Sequence, residues 1–246
     1  ETFSMNDKAI LALKDKPVAE TTMIAILIQS LLAAFVFLIL PFILTKRKLV
    51  AGKGTGSFLV YFSLLGIAYI MMQIALIQKF TLFLGQPVYT LLTVVSTMLI
   101  FSGLGSWFSK KFFAGRKLRL NVIFLAIAVS ILLIGLLNPF LFDAMNRADI
   151  WLRVIVSAAV IAIPSFFMGM PFPIGISLIG DSEKGVTALA WAVNGFFSVI
   201  GSVLAMIFAM TGGFRFVFIF AATCYLAAMY FAIRRTGKVL SKPSKA

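Results

Sequence analysis

The chain has 246 residues, of which 61% are hydrophobic and only 12% charged, with a mean hydropathy of +1.07. A soluble domain is roughly half apolar and a quarter charged, so this composition excludes an ordinary water-soluble globule and points to lipid as solvent. The net charge of +14 does not indicate nucleic acid, because the 22 Lys and Arg residues fall in short segments between long apolar runs, as in the cytoplasmic loops of membrane proteins.

Histidine is absent and the single cysteine, Cys224, lies inside an apolar run. No disulfide framework is available, and the usual ligands of zinc and b-type haem are missing, so no cofactor or metal is expected. Cys224 itself reads as a small hydrophobe. The first residue is Glu1, and residues 1–21 form a mixed polar segment without a signal-peptide pattern. This segment is expected to be the end of an upstream domain, and the chain a fragment or processed product of a longer polypeptide.

About 20 residues at a 1.5 Å rise cross a hydrocarbon core of about 30 Å. In chain order, seven apolar runs reach that length: 22–44, 57–78, 88–108, 119–138, 150–170, 188–210 and 214–233. The predicted fold is therefore all-α, a polytopic bundle of about seven transmembrane helices over 22–233, followed by a basic tail at 234–246. Turn and charge signals separate the runs: Lys46-Arg47-Lys48, Gly85-Gln86-Pro87, Lys110-Lys111, Asn138-Pro139, the stretch from Pro171 to Gly185, and Gly212-Gly213. With the N-terminus outside, the cytoplasmic loops and tail hold fifteen basic residues against seven outside, which predicts an N-out, C-in orientation.

The fifth run continues as apolar sequence to Gly180 but contains Pro164, Pro171 and Pro173. Proline removes a backbone donor and clashes with the preceding turn, so a helix is expected to end near Met170, with a break at Pro171-Phe172-Pro173 and a short half-helix at 174–180. Such breaks line cavities in transporters and also occur as simple kinks.

All eight carboxylates lie in the N-terminal segment or in loops, so no spanning run carries the buried acid used by many proton- or ion-coupled carriers. The polar residues at membrane depth are amides and hydroxyls. Gly66, Tyr69 and Gln73 share one face of the second helix with Phe62, and Gln78 follows. Asn194, Ser198 and Ser202 repeat every four residues on the sixth, beside Gly195 and Gly201. These faces are expected to point inward, either for helix packing or to line a substrate cavity. Gly103 and Gly105 in Ser102-Gly103-Leu104-Gly105-Ser106 are expected to allow close backbone packing. The glycine-rich Gly52-Lys53-Gly54-Thr55-Gly56 lacks P-loop spacing and reads as a flexible basic loop. No Ser-His-Asp, Cys-His or paired-carboxylate arrangement can be assembled, so no catalytic residue is assigned.

One stretch runs from Leu65 through Tyr69, Gln73 and Gln78 to Phe80, continuing in Leu84-Gly85-Gln86-Pro87 and Phe101-Ser102-Gly103-Leu104-Gly105-Ser106. Another is Phe167-Met168-Gly169-Met170-Pro171-Phe172-Pro173 with Trp191-Ala192-Val193-Asn194-Gly195 and Val199-Ile200-Gly201-Ser202. Together the two stretches resemble the membrane domains of bacterial spermidine-synthase-like proteins. The resemblance implies a non-catalytic integral domain of a bacterial cytoplasmic (inner) membrane protein, with a substrate-handling or transport role. It also implies a fused or associated aminopropyltransferase-type domain, whose alternating strand and helix pattern this chain lacks. Gln73 and Gln86 stand where the family often has Glu and His, which keeps hydrogen bonding and removes titration. The alternative expectation is a structural subunit that anchors a larger membrane complex. The lipid bilayer is the expected partner in either case, together with other membrane subunits or the fused domain, and nucleic acid is not.

Overall fold

The computed structural model describes residues 18–36, 55–112, 117–179 and 184–240. These fold into helices α1 (Val18–Ala34), α2 (Thr55–Leu84), α3 (Pro87–Phe112), α4 (Lys117–Ala144), α5 (Ile150–Met168), α6 (Pro171–Ile179) and α7 (Lys184–Leu240), with no strand among the described residues. Five stretches are long and apolar enough to cross a membrane: Gly56–Leu84, Pro87–Ser109, Leu120–Ala144, Ile150–Ile179 and Gly185–Arg234. The chain is a multi-pass transmembrane helical bundle.

The expected count of about seven is corrected to six, because the last of these stretches is two helices and the first predicted segment is short where it is described. The sixth and seventh predicted segments are the two limbs of α7, 184–212 and 214–240, separate helices that meet at a kink where Gly213 leaves the helical region at φ 74°, ψ 172°. Only glycine enters that region without strain, so Gly213 is where the chain can reverse. The reversal is visible in the Phe208 ring, which lies 5.0 Å from Phe220 and 5.1 Å from Phe216. Twelve residues of straight helix would separate Phe208 from Phe220 by about 18 Å. The first predicted segment appears as α1, with an apolar stretch of only Ile24–Ala33, while its portion from 37 to 44 lies outside the described residues. The Lys46-Arg47-Lys48 loop, the Gly52 to Gly54 turn, Asp181, Glu183 and the end of the tail also lie outside them.

Helix α2 is the axis of the bundle, and more than half of its spanning window is buried. It packs most extensively against α7, while α3 packs against α5, and α4 against α7. Aromatic rings fill both ends of the core. Near the α2 C-terminus Phe83 stacks on Phe142 at 4.4 Å with Phe80 edge-on at 5.4 Å from Phe142; near its N-terminus Tyr61 meets Phe62 at 5.1 Å. Gly85, at φ 73°, turns the chain out of α2, and Pro87 opens α3 at the position where a missing N–H costs nothing.

Arg153 ties that end together. Its guanidinium donates to the carbonyls of Ala148 (3.0 Å), Phe83 (3.1 Å) and Asn146, so three backbone acceptors near helix ends are satisfied by one side chain.

The proline-rich region differs from expectation by a few residues, which changes the role of each proline. Pro164 lies inside α5, buried, and does not break it; the helix continues to Met168. The break is the turn at Gly169-Met170, and Pro171 and Pro173 sit in the first turn of α6 rather than in the gap. Proline is suited to a helix start because its fixed φ and absent donor match that position. The turn is held by Met170 N–H donating to Phe167 O at 3.1 Å and by the Tyr61 hydroxyl donating to Pro171 O at 2.6 Å.

Candidate functional site

Four helix faces and the α5–α6 turn surround a cavity of about 1160 Å³. From α3 come Leu99, Ser102, Gly103 and Ser106, at spacings of three, one and three; from α7 come Thr187, Trp191, Asn194 and Ser198, at four, three and four. Each set is one helical stripe. The short α6 supplies Phe172, Pro173, Ile176 and Ser177, α2 supplies Leu65 and Tyr69, the second limb of α7 supplies Tyr225, and the turn supplies Met168 and Gly169.

The cavity exists because its walls are pinned elsewhere. A Cβ on Gly105 would collide with the Phe166 carbonyl and one on Gly169 with the Ser102 carbonyl, so α3 and the end of α5 touch backbone to backbone. On the other side a Cβ on Gly66 would collide with the Asn194 carbonyl, and one on Gly201 would meet Ile67 Cα at 2.8 Å, which fixes α7 against α2. Between those two contacts α6 enters as a nine-residue wedge whose Phe172 ring bridges Phe62, at 5.0 Å, and Trp191, at 4.4 Å.

The polar groups divide into those already engaged and those free. Asn194 Nδ2 donates to Phe62 O at 3.1 Å, and Ser198 Oγ donates to Asn194 O at 2.8 Å and reaches Gly66 O at 3.3 Å. These bonds cross the α2–α7 contact and also form cavity wall. The Tyr69 and Ser102 hydroxyls lie 3.3 Å apart across α2 and α3. The Ser106 and Thr187 hydroxyls carry no hydrogen bond within the protein among the described residues. No Asp, Glu, Lys or Arg is among the described residues that line the cavity, and no group of three His, Cys, Asp or Glu side chains able to hold a metal occurs among them.

Of the residues singled out from the sequence, Tyr69, Asn194, Ser198, Gly103, Pro173 and the Gly169 turn meet at this cavity. Gln73, Gln78 and Ser202 do not line it. Gln73 is partly buried on α2, Gln78 Nε2 donates to Met206 Sδ at 3.4 Å, and Ser202 Oγ returns to Val199 O at 2.7 Å within its own helix. Gly66, Gly105 and Gly201 are close-contact positions. Gly103 is not: a Cβ there would meet nothing within 4 Å, and the residue lines the open volume. Gly195 is partly buried on α7. Thr187 and Tyr225 are additions from the structure; for Thr187 the signal in the sequence is its four-residue spacing from Trp191, in register with Asn194 and Ser198.

No family model, curated protein or solved structure matches this chain.

Proposed function

We propose that this chain is a non-catalytic membrane domain that holds or passes a small ligand through its interior cavity, the substrate-handling or transport part of a spermidine-synthase-like protein. The observation that carries this reading is the coincidence of the broken fifth segment with two polar stripes around one volume of about 1160 Å³. Discontinuous helices at membrane depth persist where they line a cavity, because the interrupted backbone needs polar surroundings. The reading places the chain in a bacterial cytoplasmic membrane, N-out and C-in by the distribution of basic loops, with any aminopropyltransferase-type chemistry on a fused or associated domain.

The test is chemical access in nanodiscs. In a Cys224→Ala background, Ser102→Cys is expected to react with a water-soluble thiol reagent at least tenfold faster than Ala128→Cys, a buried position on α4. Equal, negligible labelling of both would remove the cavity from consideration as a site. The second reading, an assembly subunit, rests on the exposed apolar row Val122, Leu125, Val129, Leu133, Leu136 and Phe140 of α4. Such a row serves lipid equally well, so the cavity decides between them.

A further inference from the structure

We infer that the cavity takes an uncharged amphiphile that arrives from the bilayer through the gap between α3 and α7, its hydrogen-bonding head at Ser106 and Thr187 and its chain between Leu99 and Trp191. The inference rests on the cavity being a ligand site and adds the class of ligand and its route.

The route follows from which helices touch. Helix α3 packs on α2, α5 and α6, and α7 packs on α1, α2, α4 and α6, whereas α3 and α7 make no comparable contact although their stripes face the same volume. Leu99 and Trp191, the large side chains on either wall, are 62% and 61% exposed. Both belong to stretches apolar enough to span a membrane, so the opening between them can be reached from the hydrocarbon.

Ligand class follows from what lines the volume. Among the described lining residues there is no charge of either sign to pair with a charged group, which disfavours cations and anions alike. The hydroxyls of Ser106 and Thr187 each offer a donor and acceptor that the protein leaves unused, so a polar but neutral head gains bonds without displacing any. Leu99, Phe172 and Trp191 supply apolar and aromatic surface for a chain. The volume also exceeds the 300 to about 1,000 Å³ of most small-molecule sites, leaving room for head and part of a tail together.

The experiment uses the full chain in nanodiscs and three photoreactive probes with the same diazirine-bearing ten-carbon tail: a monoacylglycerol, a fatty acid and an alkyltrimethylammonium. Labelling by the monoacylglycerol is expected to be saturable, to map to peptides containing Leu99 and Trp191, and to exceed that of both charged probes at least fivefold. Gly103→Trp, which fills the cavity from a position with free space around it, is expected to cut the saturable labelling at least fivefold. Ser106→Ala with Thr187→Val, which touches no internal bond, is expected to cut it about threefold and serves independently of how well the larger substitution folds. Equal labelling by all three probes, or labelling indifferent to both variants and spread over α4, would overturn the inference. If that happens while Ser102→Cys still reacts with the water-soluble reagent, the cavity stands and only the lipid-borne ligand falls; if neither signal appears, both fall.

Discussion

The seam between α2 and α7 and the gap between α3 and α7 are built from the same residue types, glycine, serine and aromatic rings, yet one is closed and the other open. At the seam, Gly66 and Gly201 let backbones approach until there is no room for a methyl group, and Asn194 and Ser198 bond across the junction. At the gap, Gly103 faces empty volume and Ser106 carries an unused hydroxyl. Small polar residues on a membrane helix therefore specify a surface without bulk, and whether a second helix fills it is decided by where that helix is anchored. Here α3 is anchored to α5, which makes no comparable contact with α7.

The anchor of α3 is the place where the contrast breaks most violently. Gly105→Ala or Gly169→Ala would place a methyl where a backbone carbonyl already lies, Phe166 in the first case and Ser102 in the second. Backbone cannot rotate away as a side chain can, so the helices must part. Each variant is expected to lose about 3 kcal/mol of stability, read from the midpoint of an SDS titration followed by circular dichroism. If the anchor holds the cavity open, the surviving folded fraction also reacts at Ser102→Cys at an altered rate. Unchanged midpoints would show that α3 and α5 do not cross this closely.

The next effect is at the seam. Gly201→Ala meets Ile70 Cγ2 at 2.7 Å and Ile67 Cα at 2.8 Å; the first can swing aside and the second cannot, giving an expected loss of about 2 kcal/mol in the same titration. A loss as large as that of Gly105→Ala would mean that both junctions are equally rigid, and the asymmetry that explains the cavity would disappear.

This pattern also explains what could be read from the sequence. The all-helical membrane class was legible because twenty-residue apolar runs have few other uses, and the stripe Asn194-Ser198 was legible because a four-residue repeat fixes a face. The break at Gly212-Gly213 was legible too, and the crossing count missed at the first segment, whose described apolar stretch is only Ile24–Ala33. The prolines misled by position: Pro164 is carried inside α5, and Pro171 starts a helix, because proline is tolerated at a helix start and a buried kink can be packed around. Gly103 and Gly105 are two residues apart on the same helix, so about 200° of rotation separates them, and local sequence cannot tell which one meets a neighbour. Gln73 and Gln78 do not line the cavity for a related reason: α2 is surrounded, and a polar residue on it can face any of several helices, as Gln78 does toward Met206.

Asn194→Leu removes the bond to Phe62 O while keeping volume, and the carbonyl it leaves is already held by its own helix. The expected cost is about 1 kcal/mol, in the range of single interhelical bonds within membranes. Because Asn194 also forms cavity wall, the same variant sharpens the comparison in a second way. Thiol access at Ser102→Cys is expected to stay within twofold of the parent, since α7 is still pinned by Gly66 and Gly201.

The smallest effect has the opposite sign. Gly103→Ala adds a methyl that meets nothing within 4 Å and replaces the residue that costs a helix interior most. It is expected to stabilise the bundle by about 0.5 kcal/mol, a rise in the SDS midpoint where every other glycine discussed gives a fall. Two glycines on one helix, 103 and 105, would then answer the same substitution in opposite directions. A fall at Gly103 comparable to that at Gly201 would mean that α7 closes onto α3 in the membrane, and that the open volume between them is not part of the folded protein.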